Sequence, residues 1–196
     1  ILMFKSSNKI AIIGMGYVGL PLAVAFAKKF IVTGYDINLH RINKLKKNYD
    51  ETNEVLKNSL KNAKKLNFTS KIGDISDCNI FIITVPTPVF KNNQPNLKML
   101  ISASKEVGKI IKKNDIIIYE STVYPGVTEE ICIPILEKNS KQKINKDFFV
   151  GYSPERVNPG DKSKKITDIT KIVSGSNKYA LNKINKLYLK IITAGT

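Results

Sequence analysis

The chain has 196 residues, ample for one domain with a full core and short for two. Hydrophobic residues make up 42%, and no apolar run approaches the ~18 residues of a membrane-spanning helix. The net charge of +16 invites a nucleic-acid reading, but only Arg41 and Arg156 among the 32 basic residues are arginine, and the lysines are spread along the whole chain.

Residues 9–13 read as a strand and 17–29 as an amphipathic helix, with Pro21 in its first turn, where proline is tolerated. A strand over 31–35 and a helix over 39–47 follow. A Lys-rich helix is expected over 53–65 and a short strand over 67–69. The nearly all-apolar run 80–85 reads as a strand buried on both faces. Then come a helix over 96–112, a strand over 116–119, a helix over 127–138 and a strand over 148–152. Residues 162–170 read as a loop and 171–174 as a strand. A helix over 178–189 and a short strand over 190–193 close the chain. This alternation predicts an α/β fold, a Rossmann-type doubly wound and mainly parallel sheet with helices on both faces. The apolar start, residues 1–4, gives way at once to Lys5 and is too short for a secretory signal, so a cytoplasmic location is expected. No nucleic acid and no membrane are expected as partners.

Gly14, Gly16 and Gly19 sit between the first strand and the first helix. Gly14 permits a tight turn, Gly16 lets backbone approach a pyrophosphate, and Gly19 lets the helix pack closely on the strand. Gly14-Met15-Gly16-Tyr17-Val18-Gly19 is thus a dinucleotide turn in the context it requires. Asp36 ends the second strand, 17 residues after Gly19. A carboxylate there accepts ribose hydroxyls and repels a 2′-phosphate, which favours NAD as the cofactor over NADP. The competing role for Asp36 is an N-cap for the helix near Leu39, or a turn residue before Asn38. Arg41 either lies against the adenosine end or sits on a solvated helix face.

Three later strands end in segments that should open on the same edge. They are Val85-Pro86-Thr87-Pro88, the stretch 120–126 with Ser121 and Thr122, and the stretch 153–160 with Glu155, Arg156, Val157 and Asn158. Each alone reads as an ordinary turn, and Ser121-Thr122 as a helix-capping pair. Three on one edge read as a reaction site. The cysteines Cys78 and Cys132 lie in apolar runs and read as small buried hydrophobes. With His40 the single histidine, no metal site is expected.

These stretches, above all Ser153-Pro154-Glu155-Arg156-Val157-Asn158-Pro159-Gly160-Asp161, resemble the UDP-glucose/GDP-mannose dehydrogenase family over essentially the whole chain. Arg156 points to its N-acetylated branch, the UDP-N-acetylglucosamine and UDP-N-acetylgalactosamine 6-dehydrogenases of surface and capsular polysaccharide synthesis. The resemblance implies oxidation of a UDP-sugar C6 alcohol to a carboxylate with two NAD, through a cysteine thioester. It implies that Gly14, Met15, Gly16, Tyr17, Val18 and Gly19 hold the pyrophosphate, and Asp36 and Arg41 the adenosine end. Val85, Pro86, Thr87, Ser121 and Thr122 would run along the cofactor. Thr122 would help position the catalytic water, and Glu155 would assist proton transfer. Glu155, Arg156, Val157 and Asn158 would border the sugar. The family's Gly-Gly-x-Cys-x-Pro segment is absent from these 196 residues. Residues 1–196 are therefore expected to be the N-terminal NAD domain of a longer, homodimeric enzyme, unable to complete the oxidation alone. A free-standing NAD module and the NAD domain of a 3-hydroxyacid or 6-phosphogluconate dehydrogenase are the alternatives.

Overall fold

The computed structural model describes residues 8–156 and 166–196. Among them, six strands form one parallel sheet in the order β3-β2-β1-β4-β5-β6. The strands are β1 (Lys9–Ile13), β2 (Ile31–Tyr35), β3 (Leu66–Thr69), β4 (Ile80–Ile83), β5 (Ile116–Tyr119) and β6 (Phe149–Tyr152). Between them run α1 (Gly19–Ala27), α2 (Leu39–Lys46), α3 (Lys57–Asn62), α4 (Lys98–Gly108) and α5 (Ile133–Ser140), and α6 (Lys178–Tyr188) follows β6.

Side chains of a strand alternate between its two faces, and both faces here are apolar. Ile10, Ile12, Ile80, Ile82, Ile116 and Ile118 enter one core with Leu20, Phe26, Ile184 and Tyr188 of α1 and α6. Ala11, Ile13, Phe81, Ile83, Ile117 and Tyr119 enter the other with Leu100, Val107 and Leu136 of α4 and α5. Burial on both sides is why β4 and β5 read as unbroken apolar runs. The chain winds outward from β1 to β3, then returns so that β4 pairs directly with β1, Ile10 opposite Ile80 and Ile13 opposite Ile83. That reversal opens a crevice beyond the carboxyl ends of β1 and β4.

Four expected elements differ. The helix expected over 53–65 shrinks to Lys57–Asn62. The Asp50 carboxylate accepts the N–H groups of Thr52, Glu54 and Val55, and so organises a loop where the helix would have begun. The helix expected over 127–138 opens with a π-turn, Thr128–Cys132, before α5. Pro134 follows in the first turn of α5 and cannot donate to the carbonyl four residues back. Residues 171–174 are no strand. They follow β6, but serine hydroxyls take the place of ladder partners: Ser153 Oγ donates to Ile172 O and Ser176 Oγ accepts from Val150 N. Residues 190–193 are a turn at the end of α6, with Ile191 and Ile192 tucked into the core. Of the expected loop 162–170, residues 162–165 lie outside the described residues, and Ile166–Asp168 forms a single 3₁₀ turn.

Ile82 is fully buried in the middle of β4. Replacing it with alanine should lower the unfolding free energy by about 2–5 kcal/mol, read from urea unfolding with an unchanged denaturant slope.

Candidate functional site

The crevice is built from the glycine turn outward. Gly14 has φ +99°, a backbone state open to glycine and strained for other residues. A Cβ on Gly19 would stand 1.9 Å from the Gly14 carbonyl oxygen, so α1 can approach β1 this closely only with glycine there. Gly16 faces open space. Thr84, just past β4, donates from Oγ1 to the carbonyls of Ile13 and Gly14, at 3.0 and 2.9 Å, and ties the turn to the neighbouring strand. The sequence reading passed over Thr84, because a threonine ending a strand carries no signal of its own.

Met15 is wholly buried and its backbone is engaged inward. Its N–H donates to Asp36 Oδ2 at 2.8 Å, and its carbonyl accepts from Arg41 Nε at 2.8 Å. Asp36 also accepts the Asn38 N–H, at 2.9 Å. It is not the helix cap. Asn38 caps α2 by accepting from Arg41 N. Arg41 is not on a solvated face either. It is 7% exposed, and its Nη2 lies 2.7 Å from the buried Asp50 carboxylate. Asp36 and Arg41 thus clamp the turn from beneath.

Beyond the strand ends lies a cavity of about 240 Å³. Gly16, Tyr17 and Val18 line it together with Val85, Pro86 and Thr87, Ser121 and Thr122, and Glu155. The expectation of three loops opening beside the glycine turn therefore describes the structure. The loops are laced to each other: Ser121 Oγ donates to Val85 O at 2.6 Å, and Thr87 Oγ1 donates to Thr122 O. Ser121-Thr122 is not a capping pair, for neither the π-turn nor α5 has a side-chain cap. Arg156 is exposed and reaches Thr170 O at 3.3 Å, away from the cavity lining. Val157 and Asn158 lie outside the described residues.

The cavity wall also holds a group that the sequence reading missed. Glu120, the first residue past β5, is buried, and its Oε2 accepts from Lys171 Nζ at 2.7 Å. The same ammonium donates to Glu155 Oε2 at 2.9 Å. Tyr188 of α6 donates its hydroxyl to Glu120 Oε1. Burial pushes the Glu120 carboxyl up to about 7, against the pull of Lys171. Burial works against the charge on Lys171, but Glu120 and Glu155 hold its pKa above the ordinary value. An acidic residue directly after an all-apolar strand was a usable hint for Glu120. Lys171 had none, being one lysine among many.

Both cysteines are buried, and desolvation raises their thiols, Cys78 to about 12 and Cys132 to about 11. Neither can supply a thiolate near neutral pH. Among the described residues there is no cluster of metal-binding side chains and no helix long and apolar enough to cross a membrane.

A dinucleotide suits this crevice on three counts. The N-terminus of α1 has no side-chain cap; within its first turn the Leu20 N–H goes to the Gly16 carbonyl and Pro21 has none, so an anion is met by the turn just ahead of the helix, Gly16 to Gly19. The open face of Gly16 admits close approach. Arg41 Nη1 is buried without a partner among the described residues.

Residues 8–192 match the model of the UDP-glucose/GDP-mannose dehydrogenase family, NAD binding domain. The chain belongs to this family. Its cofactor is NAD. It is 54% identical, over 96% of its length, to a UDP-N-acetyl-D-glucosamine 6-dehydrogenase of Pseudomonas aeruginosa, and 52% identical to protein CapL of Staphylococcus aureus. It spans 44% of the length of each of these relatives. Among solved structures it resembles the UDP-D-ManNAc dehydrogenase of Pyrococcus horikoshii, with TM-score 0.88 and 32% identity over 95% of this chain and 46% of that one. An NDP-N-acetyl-D-galactosaminuronic acid dehydrogenase of Methanosarcina mazei gives TM-score 0.90 and 31% identity, over 96% and 43%.

The buried carboxyl generates a pH signature. A raised folded-state pKa adds stability below the unfolded value and loses it as pH rises through the folded value. The stability difference between the wild type and Glu120→Gln should therefore fall as pH rises from 4.5 to about 7, and level off above. Urea unfolding at a series of pH values checks this.

Proposed function

We propose that this chain is the N-terminal, NAD-holding part of a UDP-N-acetylhexosamine 6-dehydrogenase, which oxidises the sugar C6 hydroxyl to a carboxylate for surface or capsular polysaccharide synthesis. The observation that carries this reading is the meeting of the glycine turn and Glu155 in one cavity. The printed activity of the Pseudomonas aeruginosa relative supports it. In this reading the enzyme is a cytoplasmic homodimer, with neither a membrane nor a nucleic acid as partner. The excess of lysine then serves only as a general field favouring an anionic nucleotide.

The N–H groups of Gly16, Tyr17, Val18 and Gly19 hold the pyrophosphate at the uncapped end of α1. Gly14 shapes that turn, and Met15 fastens it from inside. The Asp36 carboxylate has lone pairs left for ribose hydroxyls and opposes a 2′-phosphate. Arg41 fixes the floor beneath the adenosine end. Val85, Pro86, Thr87, Ser121 and Thr122 guide the cofactor toward the reaction edge. NAD, when bound, supplies the hydride acceptor. Thr122 orients a water, and the Glu155 carboxylate takes its proton as the thioester is hydrolysed. Because Cys78 and Cys132 are buried with raised thiols, the thioester forms on a cysteine outside these residues, and this chain by itself binds NAD without completing the reaction.

Calorimetry on the 196-residue chain should show NAD binding and much weaker NADP binding. Equal binding of the two would overturn the role of Asp36. In the full-length enzyme, Glu155→Gln should slow thioester hydrolysis by roughly 10²–10⁴-fold and leave the first hydride transfer less affected. Equal slowing of both steps would sink the role of Glu155.

A further inference from the structure

We propose that Lys171 is a positioning residue: anchored on the buried Glu120, it holds the Glu155 carboxylate at the cavity wall, ready to accept a proton. This rests on the reading of Glu155 as the proton acceptor.

The three side chains come from separate parts of the fold. Glu120 follows β5, Glu155 follows β6, and Lys171 lies on the segment that runs beside β6. All are nearly sealed from water, with side chains 0%, 6% and 3% exposed. Lys171 Nζ donates to one oxygen of each carboxylate, at 2.7 and 2.9 Å, and stands 5.7 Å from the centre of the Tyr188 ring. The Tyr188 hydroxyl fixes the other oxygen of Glu120. The anchor is therefore held from two sides and cannot follow Glu155 if that carboxylate moves. Only Glu120 and Glu155 of the three line the cavity, and Lys171 acts from behind them.

The chemistry explains why a cation is needed there. Two carboxylates buried side by side repel, and one of them takes up a proton. A protonated Glu155 could not serve as a base. A cation shared between them favours the ionised form of each, and Glu120 supplies the second charge that keeps Lys171 protonated in a dry setting. The titratable groups around Glu155 on the described residues include Lys171, Glu120 from β5 and Tyr188 from α6. Arg156 is its neighbour in the chain. The Arg156 backbone N–H donates to Glu155 Oε1 at 2.7 Å, while its guanidinium turns to Thr170 O.

The decisive measurement is the pH profile of thioester hydrolysis by the full-length enzyme, with a carboxyl-carbon NMR titration of Glu155 and Glu120 in the 196-residue chain. In Lys171→Met the acidic limb of the rate and the Glu155 midpoint should both move up by roughly 1–3 pH units, so that raising the pH restores the rate. Lys171→Arg should keep both near the wild type. A uniform loss of rate at every pH, with no shift, would show a merely structural staple and overturn the proposal. Should Lys171→Met fail to fold, Glu155→Gln decides the matter: the Glu120 midpoint should fall below its wild-type value, and an unmoved midpoint would refute the coupling. The readings separate cleanly. Loss of the Glu155 role appears in Glu155→Gln as hydrolysis slowed no more than the first hydride transfer, whereas loss of the Lys171 role appears as selectively slowed hydrolysis in that variant with no shift in Lys171→Met.

Discussion

The site depends on how closely α1 lies against the ends of β1 and β4. The Gly14 carbonyl would meet any side chain at Gly19 at less than bonding-free distance, and the Thr84 hydroxyl crowds the same spot. No other residue gives the helix this seat. The seat aims the N-terminus of α1 into the crevice between β1 and β4, where the chain reverses its direction across the sheet. Everything else in the cavity is arranged around that uncapped helix end.

The supports are mostly polar and mostly hidden. Beneath the turn, Asp36 and Arg41 engage the two backbone groups of Met15, and Asp50 neutralises Arg41. Across the cavity, Glu120, Lys171 and Tyr188 form a second buried set. Burying charge is costly, and apolar side chains of like size would often hold such places as well or better. What buried pairs provide here is direction. Each fixes a loop that contributes to the cavity, and each has its partner on a different element. Ser121 and Thr87 complete the lacing between the loops after β4 and β5. The cavity is thus a cross-tied edge, suited to hold a cofactor in one orientation.

The remaining differences from the sequence reading have local physical causes. Periodicity saw an amphipathic helix over 53–65, but one carboxylate, that of Asp50, captured its first N–H groups. The β-branched residues of 171–174 suggested a strand, but serine hydroxyls replaced half of the ladder. Ile191 and Ile192 are apolar because they close a core beside α6, not because they pair with a neighbour. In each case a side-chain hydrogen bond or a packing contact outweighed propensity, which is worth little per residue.

By itself the sequence determined the alternation of strands and helices, the glycine turn, the acidic residue closing β2 and the three loops on one edge. These are legible because strand burial, tight turns and helix entry each demand particular residues at fixed spacing. It also placed both cysteines in the core, since apolar neighbours bury what they surround. Only the tertiary structure decided that Arg41 is a buried clamp, that Asn38 and not Asp36 caps α2, and that Thr84 ties the turn to β4. Only it brought Glu120, Lys171 and Glu155 together, across 51 and 16 residues of chain. Such a cluster leaves no spacing in the sequence to be read, because its members meet through the order in which strands β5 and β6 lie side by side.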